Sequence, residues 1–114
     1  MSGATDEQVV VALTTAPSAE VAERIGRALV EERLAACANV VGGITSIFRW
    51  DDAVQRESEA LVILKTTAGE VGALERRLAE LHPYEVPELI AFPIAAGHAP
   101  YLEWVRAEVG TDVP

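Results

Sequence analysis

The sequence predicts a single α+β domain with the element order strand, helix, strand, strand, helix, strand and a closing helix. Three observations carry this expectation. Short apolar, β-branched runs alternate with stretches whose apolar residues recur at helical spacing. The second and third strands follow one another across an acidic turn, as a hairpin does. The chain has 114 residues, an ordinary length for one domain.

The first strand is read in Val9-Val10-Val11-Ala12-Leu13, bounded by Thr14-Thr15 and Pro17. A continuous apolar run of this length suits a strand buried on both faces. A helix is expected from Ser18 to Ala36. Ile25, Ala28, Leu29 and Ala36 form its apolar stripe, and Glu23, Arg24, Arg27 and Glu31 its wet side. Ser18 is the expected N-cap, with Glu20 in the first turn where the helix dipole favours an anion. Gly26 inside this helix costs about 1 kcal/mol relative to Ala, which a close approach of helix to sheet would offset.

Ala38 to Trp50 reads as a long strand interrupted at Gly42-Gly43, where paired glycines suggest a bulge or sharp bend. Asp51-Asp52-Ala53 reads as a turn, and Glu57 to Thr66 as the returning strand. Thr67 and Glu70 fit a T-x-x-E capping box that opens a second helix with the stripe Val71, Leu74, Leu78 and Leu81. Pro83 ends that helix by disfavouring helical backbone at His82. Leu89 to Ile94 is the fourth strand, and Pro93 within it points to an edge. Pro100 to Val109 is a short third helix with Pro in its first turn and Gly110 as its stop. Residues 1–7 are expected as a flexible tail and residues 8–110 as the domain.

Two strand–helix–strand units, each with a right-handed crossover, interleave into a four-stranded antiparallel sheet with two helices on one face. This is the ferredoxin-like plan, here with a long bent hairpin and an added C-terminal helix. The plan leaves one sheet face bare, yet the strands do not alternate apolar with polar residues as a wet face requires. The third helix and partner subunits are therefore expected to cover that face.

Composition narrows the function classes. Nine Lys and Arg stand against eighteen Asp and Glu, a net charge of −9. No cationic run exceeds Arg76-Arg77, so nucleic acid is not an expected partner. No apolar stretch approaches the roughly 20 residues of a membrane span. Cys37 is the single cysteine, and the first residues lack the basic and apolar regions of a secretion signal, so the expected location is the cytoplasm.

Several segments together resemble one family. They are Thr14-Thr15-Ala16-Pro17-Ser18, Glu31 to Asn39 (EERLAACAN), Ser46-Ile47-Phe48-Arg49-Trp50, Lys65-Thr66-Thr67, His82 to Glu88 (HPYEVPE) and Tyr101-Leu102-Glu103-Trp104. Their order and content, over about Val9 to Val109, are similar to the CutA divalent-cation tolerance family. The resemblance implies a very stable homotrimer, similar in plan to the PII signalling trimers, and a link to divalent-metal tolerance and copper binding. It also implies a ligand cleft between subunits near Cys37, Trp50, Glu59, Lys65, His82, Tyr84 and Glu88.

The chain departs from the family at its metal ligands. Thr14 stands where the family has a Cys at the end of the first strand, and Leu81 replaces the first of a His pair, so His82 is the one metal ligand expected. Copper prefers imidazole and thiolate donors, and the chain offers only His82, His98, Cys37 and Met1. Cys37 and His82 each have a plainer reading, the first as a small buried hydrophobe and the second as a helix C-cap. Glu59 and Lys65 share strand parity, so they belong to one sheet face, where an ordinary ion pair is the plain reading. Asp51-Asp52 replaces the family's Gly-Lys turn and disfavours an anionic ligand at the hairpin tip.

Enzyme chemistry is the rival class. The loop Thr14 to Ser18 lacks the Arg that acylphosphatases of this plan use to cradle phosphate. An acid–base site would have to be drawn from Glu57, Glu59, His82 and Lys65. The expected function is thus non-enzymatic metal tolerance without a required cofactor, copper being the implied metal. The alternatives are a PII-like small-molecule sensor and a protein-binding scaffold.

Overall fold

The computed structural model describes residues 5–110. Its elements are β1 (Val9–Ala16), α1 (Ala19–Glu31), β2 (Cys37–Trp50), β3 (Ala53–Thr67), α2 (Val71–Leu81), β4 (Ile90–Pro93) and α3 (Ala99–Glu108). The strands form one antiparallel sheet in the order β2-β3-β1-β4. This is the ferredoxin-like arrangement with the expected extra helix.

Side chains alternate between the two faces of a strand. In β1 the even positions Ala12, Thr14 and Ala16 point into the helix layer. There they meet Ala60, Val62 and Leu64 of β3, Ala22, Ile25 and Leu29 of α1, and Leu74 and Leu78 of α2. The core is aliphatic, as the low aromatic content requires, and its small members let α1 lie close to the sheet. A Cβ added at Gly26 would stand 3.0 Å from the Ala38 Cβ. The glycine inside the helix is thus explained by the approach it permits. The odd face is covered at one end by α3, whose Val105 joins Val9 and Ala36 in a second cluster.

The hairpin is longer than the sequence suggests. β1 pairs with β3 only from Thr67 to Ala60, so residues 44–59 form a two-stranded ribbon beyond the sheet. The expected break at Gly42-Gly43 is a bulge. Val41 faces Leu61 and Ile44 faces Glu59, so two glycines stand opposite one residue, and Gly43 takes φ 72°. The turn is tighter than expected. Asp51 and Asp52 both adopt positive φ, 53° and 60°, and Ala53 already pairs with Trp50. Two left-handed residues joining two strands form a type I′ connection, whose twist matches the hairpin.

Four local expectations need correction. β1 continues through Thr14-Thr15 to Ala16, because pairing with Leu61 and Ala60 outweighs the polar character of the threonines. The first helix stops at Glu31, not Ala36. Arg33 turns left-handed at φ 62°, and Ala36 donates its N–H to the Lys65 carbonyl, drawing the chain into β2. Ser18 caps this helix as expected, accepting from the Val21 N–H at 3.2 Å. At the second helix Thr67 makes no side-chain cap bond. The Ala68 and Gly69 N–H groups instead bond the carbonyls of Gln8 and Asp6 across a short 3₁₀ turn, Ala68–Glu70. Finally, β4 holds only Ile90–Pro93, an edge strand with all four residues exposed.

Of the tail expected over residues 1–7, the first four lie outside the described residues. Thr5 to Glu7 form a turn held by the Asp6 bond and by Arg106, which donates to the Glu7 carbonyl at 2.9 Å. Among the described residues no helix is long and apolar enough to cross a membrane.

Gly26→Val is expected to lower stability by about 1–3 kcal/mol through overpacking against Ala38. The urea midpoint should fall with an unchanged slope.

Candidate functional site

The bulge decides which β2 side chains reach the odd face. Before it, Cys37 and Asn39 share a side with Lys65 and Ile63; after it, Ser46 and Phe48 share a side with Glu57 and Gln55. The outer ribbon therefore turns Phe48, Trp50, Glu57 and Glu59 to one side. The loop after α2 lies against them and contributes Tyr84, Glu85 and Glu88. Together with the Thr15 end of β1 they enclose an open cleft of about 680 Å³.

A chain of hydrogen bonds fixes this cleft. The Tyr84 N–H donates to His82 Nδ1 at 3.0 Å, which leaves Nε2 to donate to the Thr15 carbonyl at 2.7 Å. The Tyr84 hydroxyl donates to Glu59 Oε2 at 2.6 Å. The His82 and Tyr84 rings pack with centroids 4.6 Å apart. Pro83 forces His82 out of the helix into extended backbone, φ −81° and ψ 137°, which aims its ring back at β1. His82 is therefore a buried brace, beyond the helix cap foreseen from the sequence.

Within one chain, the seven residues expected around a cleft between subunits fall into two groups. Trp50, Glu59, Tyr84 and Glu88 line the cleft, with His82 supporting it from behind. Cys37 and Lys65 lie elsewhere on the same face, six residues along β3, or about 20 Å. There Lys65 Nζ and the Cys37 thiol both donate to Asn39 Oδ1. Lys65 and Glu59 share a face as expected but are too distant for an ion pair. Cys37 is half-buried rather than a core residue, and it lines a second hollow of about 440 Å³ with Trp104, Arg27 and Glu23. Asn39, which joins Cys37 to Lys65, and Phe48 and the Thr15 carbonyl were not foreseen. Strand parity identifies Asn39; Phe48 follows only once the bulge is placed.

The donors do not fit a copper site within one subunit. Both His82 nitrogens are engaged, so metal ligation there requires breaking a bond made by a buried group. Among the described residues no three His, Cys, Asp or Glu converge. Thr14, at the family's Cys position, is fully buried on the helix side of β1, away from the cleft.

The cleft's electrostatics are acidic. Burial, then the hydrogen bond and charge of Glu59 and the charge of Glu57, push the Tyr84 phenol up to about 12. The Tyr101 phenol, beside Trp104 at the far end, is also raised, by burial and by Cys37.

Comparison with known proteins gives a consistent result. The description "CutA1 divalent ion tolerance protein" matches residues 10–108. The "Divalent-cation tolerance protein CutA" of Thermus thermophilus is 52% identical over 100 residues, 88% of this chain and 97% of that protein. Human "Protein CutA" is 46% identical over 105 residues, 92% of this chain, and the chain spans 59% of that longer protein. The solved divalent cation tolerance protein (Cut A1) of T. thermophilus superposes with a TM-score of 0.88 at 51% identity, over 90% of this chain and 99% of that one. A structure described as the periplasmic divalent cation tolerance protein CutA from Archaeoglobus fulgidus gives 0.86 at 33% identity, over 90% and 99%.

Two outcomes follow from the hydrogen-bonded brace. Replacing His82 with Phe leaves the Tyr84 N–H without its partner and the Thr15 carbonyl with only the long bond from the Thr14 hydroxyl, and should cost about 1–3 kcal/mol in chemical denaturation. The raised Tyr84 phenol gives the second. The unfolded phenol ionises near 10, so its contribution to stability is complete below about pH 10 and is lost as pH climbs through about 12. Stability of the native chain should therefore fall more steeply across that window than that of Tyr84→Phe.

Proposed function

Because the chain belongs to the CutA1 divalent ion tolerance family, we propose that it acts in divalent-cation tolerance as a non-enzymatic homotrimer whose clefts hold the functional ligand. The observation that carries the assembly is the odd face of the sheet. Val41, Ile90 and Phe92 are 44%, 53% and 45% exposed there, across from half-buried Val11, Leu13, Leu61 and Ile63. An apolar band across all four strands is unstable against water and suits burial by further copies of the chain. The two-stranded ribbon, marginal alone, would gain support from the same neighbours.

Copper enters this reading as a metal bound by residues of more than one subunit, since the described residues of a single subunit present no converging ligand set. The braced cleft favours the second reading, a small-molecule sensor of PII-like plan. The lone cysteine supports a cytoplasmic address; the A. fulgidus relative's periplasmic description marks the competing one.

Native mass spectrometry with and without copper tests the reading. A trimer is expected, without stoichiometric copper on any separated subunit. A monomer at micromolar concentration would overturn the assembly, and one tightly held copper per monomer would overturn the metal argument.

A further inference from the structure

How the cleft is completed follows from the odd face of the sheet, on the reading that further copies of the chain cover that face. Glu59 is 8% exposed, and its carboxylate is bonded only through Oε2, to an uncharged phenol. A carboxylate buried to this degree ordinarily has a cationic partner. The other charged residues of the cleft, Glu57, Glu85 and Glu88, are all acidic.

The strands place one cation on the odd face. It is Lys65, since Arg49 and Arg56 alternate to the opposite side of the ribbon. Lys65 also has no charged partner among the described residues: its ammonium donates to Asn39 Oδ1, a neutral amide oxygen. Within one chain the two charges cannot meet, being six residues apart along β3, or about 20 Å. Between them on the same face stand Leu61 and Ile63, part of the apolar band that further copies would bury.

A copy that covers Leu61 and Ile63 therefore lies over or beside both charges. Setting like over like would bury two carboxylates together, which is strongly disfavoured. A closed ring of three is heterologous, so one part of a face meets a different part of the same face on its neighbour. That geometry sets the Lys65 end of one chain against the Glu59 end of the next and satisfies both groups.

We propose that Lys65 of the partner subunit enters the Trp50–Glu59–Tyr84 cleft and pairs with Glu59. Each cleft then takes its carboxylate and aromatic wall from one chain and its ammonium from the next. Tyr84 positions the carboxylate, and the amide of Asn39 positions the ammonium on the chain that delivers it.

The test is a charge swap in the full chain, with assembly followed on dilution by native mass spectrometry and light scattering, in urea below the unfolding midpoint. Glu59→Lys and Lys65→Glu should each raise the concentration at which the trimer dissociates by about tenfold or more, and the double swap should recover most of that loss. Should a reversal fail to fold by circular dichroism, Glu59→Gln and Lys65→Met form a neutral cycle that keeps the acceptor for Tyr84 and the aliphatic stem. Sites 20 Å apart in one chain have additive effects, so a roughly tenfold departure from additivity in that cycle would report contact between chains. A trimer indifferent to the single changes, a double swap without recovery, or an additive neutral cycle would each overturn the pairing while leaving the trimer standing. A native chain that is monomeric at micromolar concentration would overturn the pairing together with the assembly it rests on.

Discussion

The two glycines opposite Ala60 control everything that the outer hairpin does. Side chains of a strand alternate strictly, so one inserted residue reverses the assignment of every position beyond it. Without that insertion Ser46, Phe48 and Trp50 would face the helix side, and Glu57 and Glu59 would look across at different neighbours. Gly43 makes the insertion inexpensive because its φ of 72° is strained for any residue with a Cβ. The twist the bulge adds also carries the ribbon past the end of β1, where the loop after α2 can meet it.

That loop supplies the second constraint. Pro83 ejects His82 from α2, His82 grips the end of β1, and its other nitrogen receives Tyr84. Tyr84 in turn reaches Glu59 on the ribbon. Three elements distant in sequence are thereby tied through two side chains, each with its polar atoms satisfied. The arrangement explains why a carboxylate as buried as Glu59 can sit at the cleft at all: a short phenol donor holds it, and the cleft leaves its other oxygen available.

Much of this architecture is legible in the sequence because it rests on local rules. Ser18 capping, the glycine bulge, the stop at Pro83 and the edge position of Pro93 all follow from the chemistry of one or two residues. What is not legible depends on partners far along the chain. Thr67 has the spacing of a capping box, but Gln8 and Asp6 deliver backbone carbonyls to the N–H groups it would have helped to satisfy. Arg33 ends α1 early because its guanidinium and carbonyl engage Ala107 and Gly110, more than seventy residues away. The candidate site divides in the same manner. Tyr84, Glu59 and Trp50 are recognisable from motif and resemblance, and they meet. Within one chain Cys37 and Lys65 share their face yet lie at the other end: six residues of one strand separate Lys65 from Glu59, while the place of Cys37 opposite Lys65 needs the register.

The contact between Gly26 and Ala38 bears on how this sequence can drift over time. One side has no side chain and the other only a methyl group, so the most that either can yield to its partner is the single methyl of Ala38. Most core pairs wander by trading volume, large for small and back again. Here the trade is limited to moving that one methyl from Ala38 to position 26, and anything bulkier at either position requires α1 to lift from the sheet. Lifting it would unseat Ala22, Ile25 and Leu29 together. The separation between helix layer and sheet is thus held by the two smallest kinds of residue, while the larger core residues around them remain free to be exchanged.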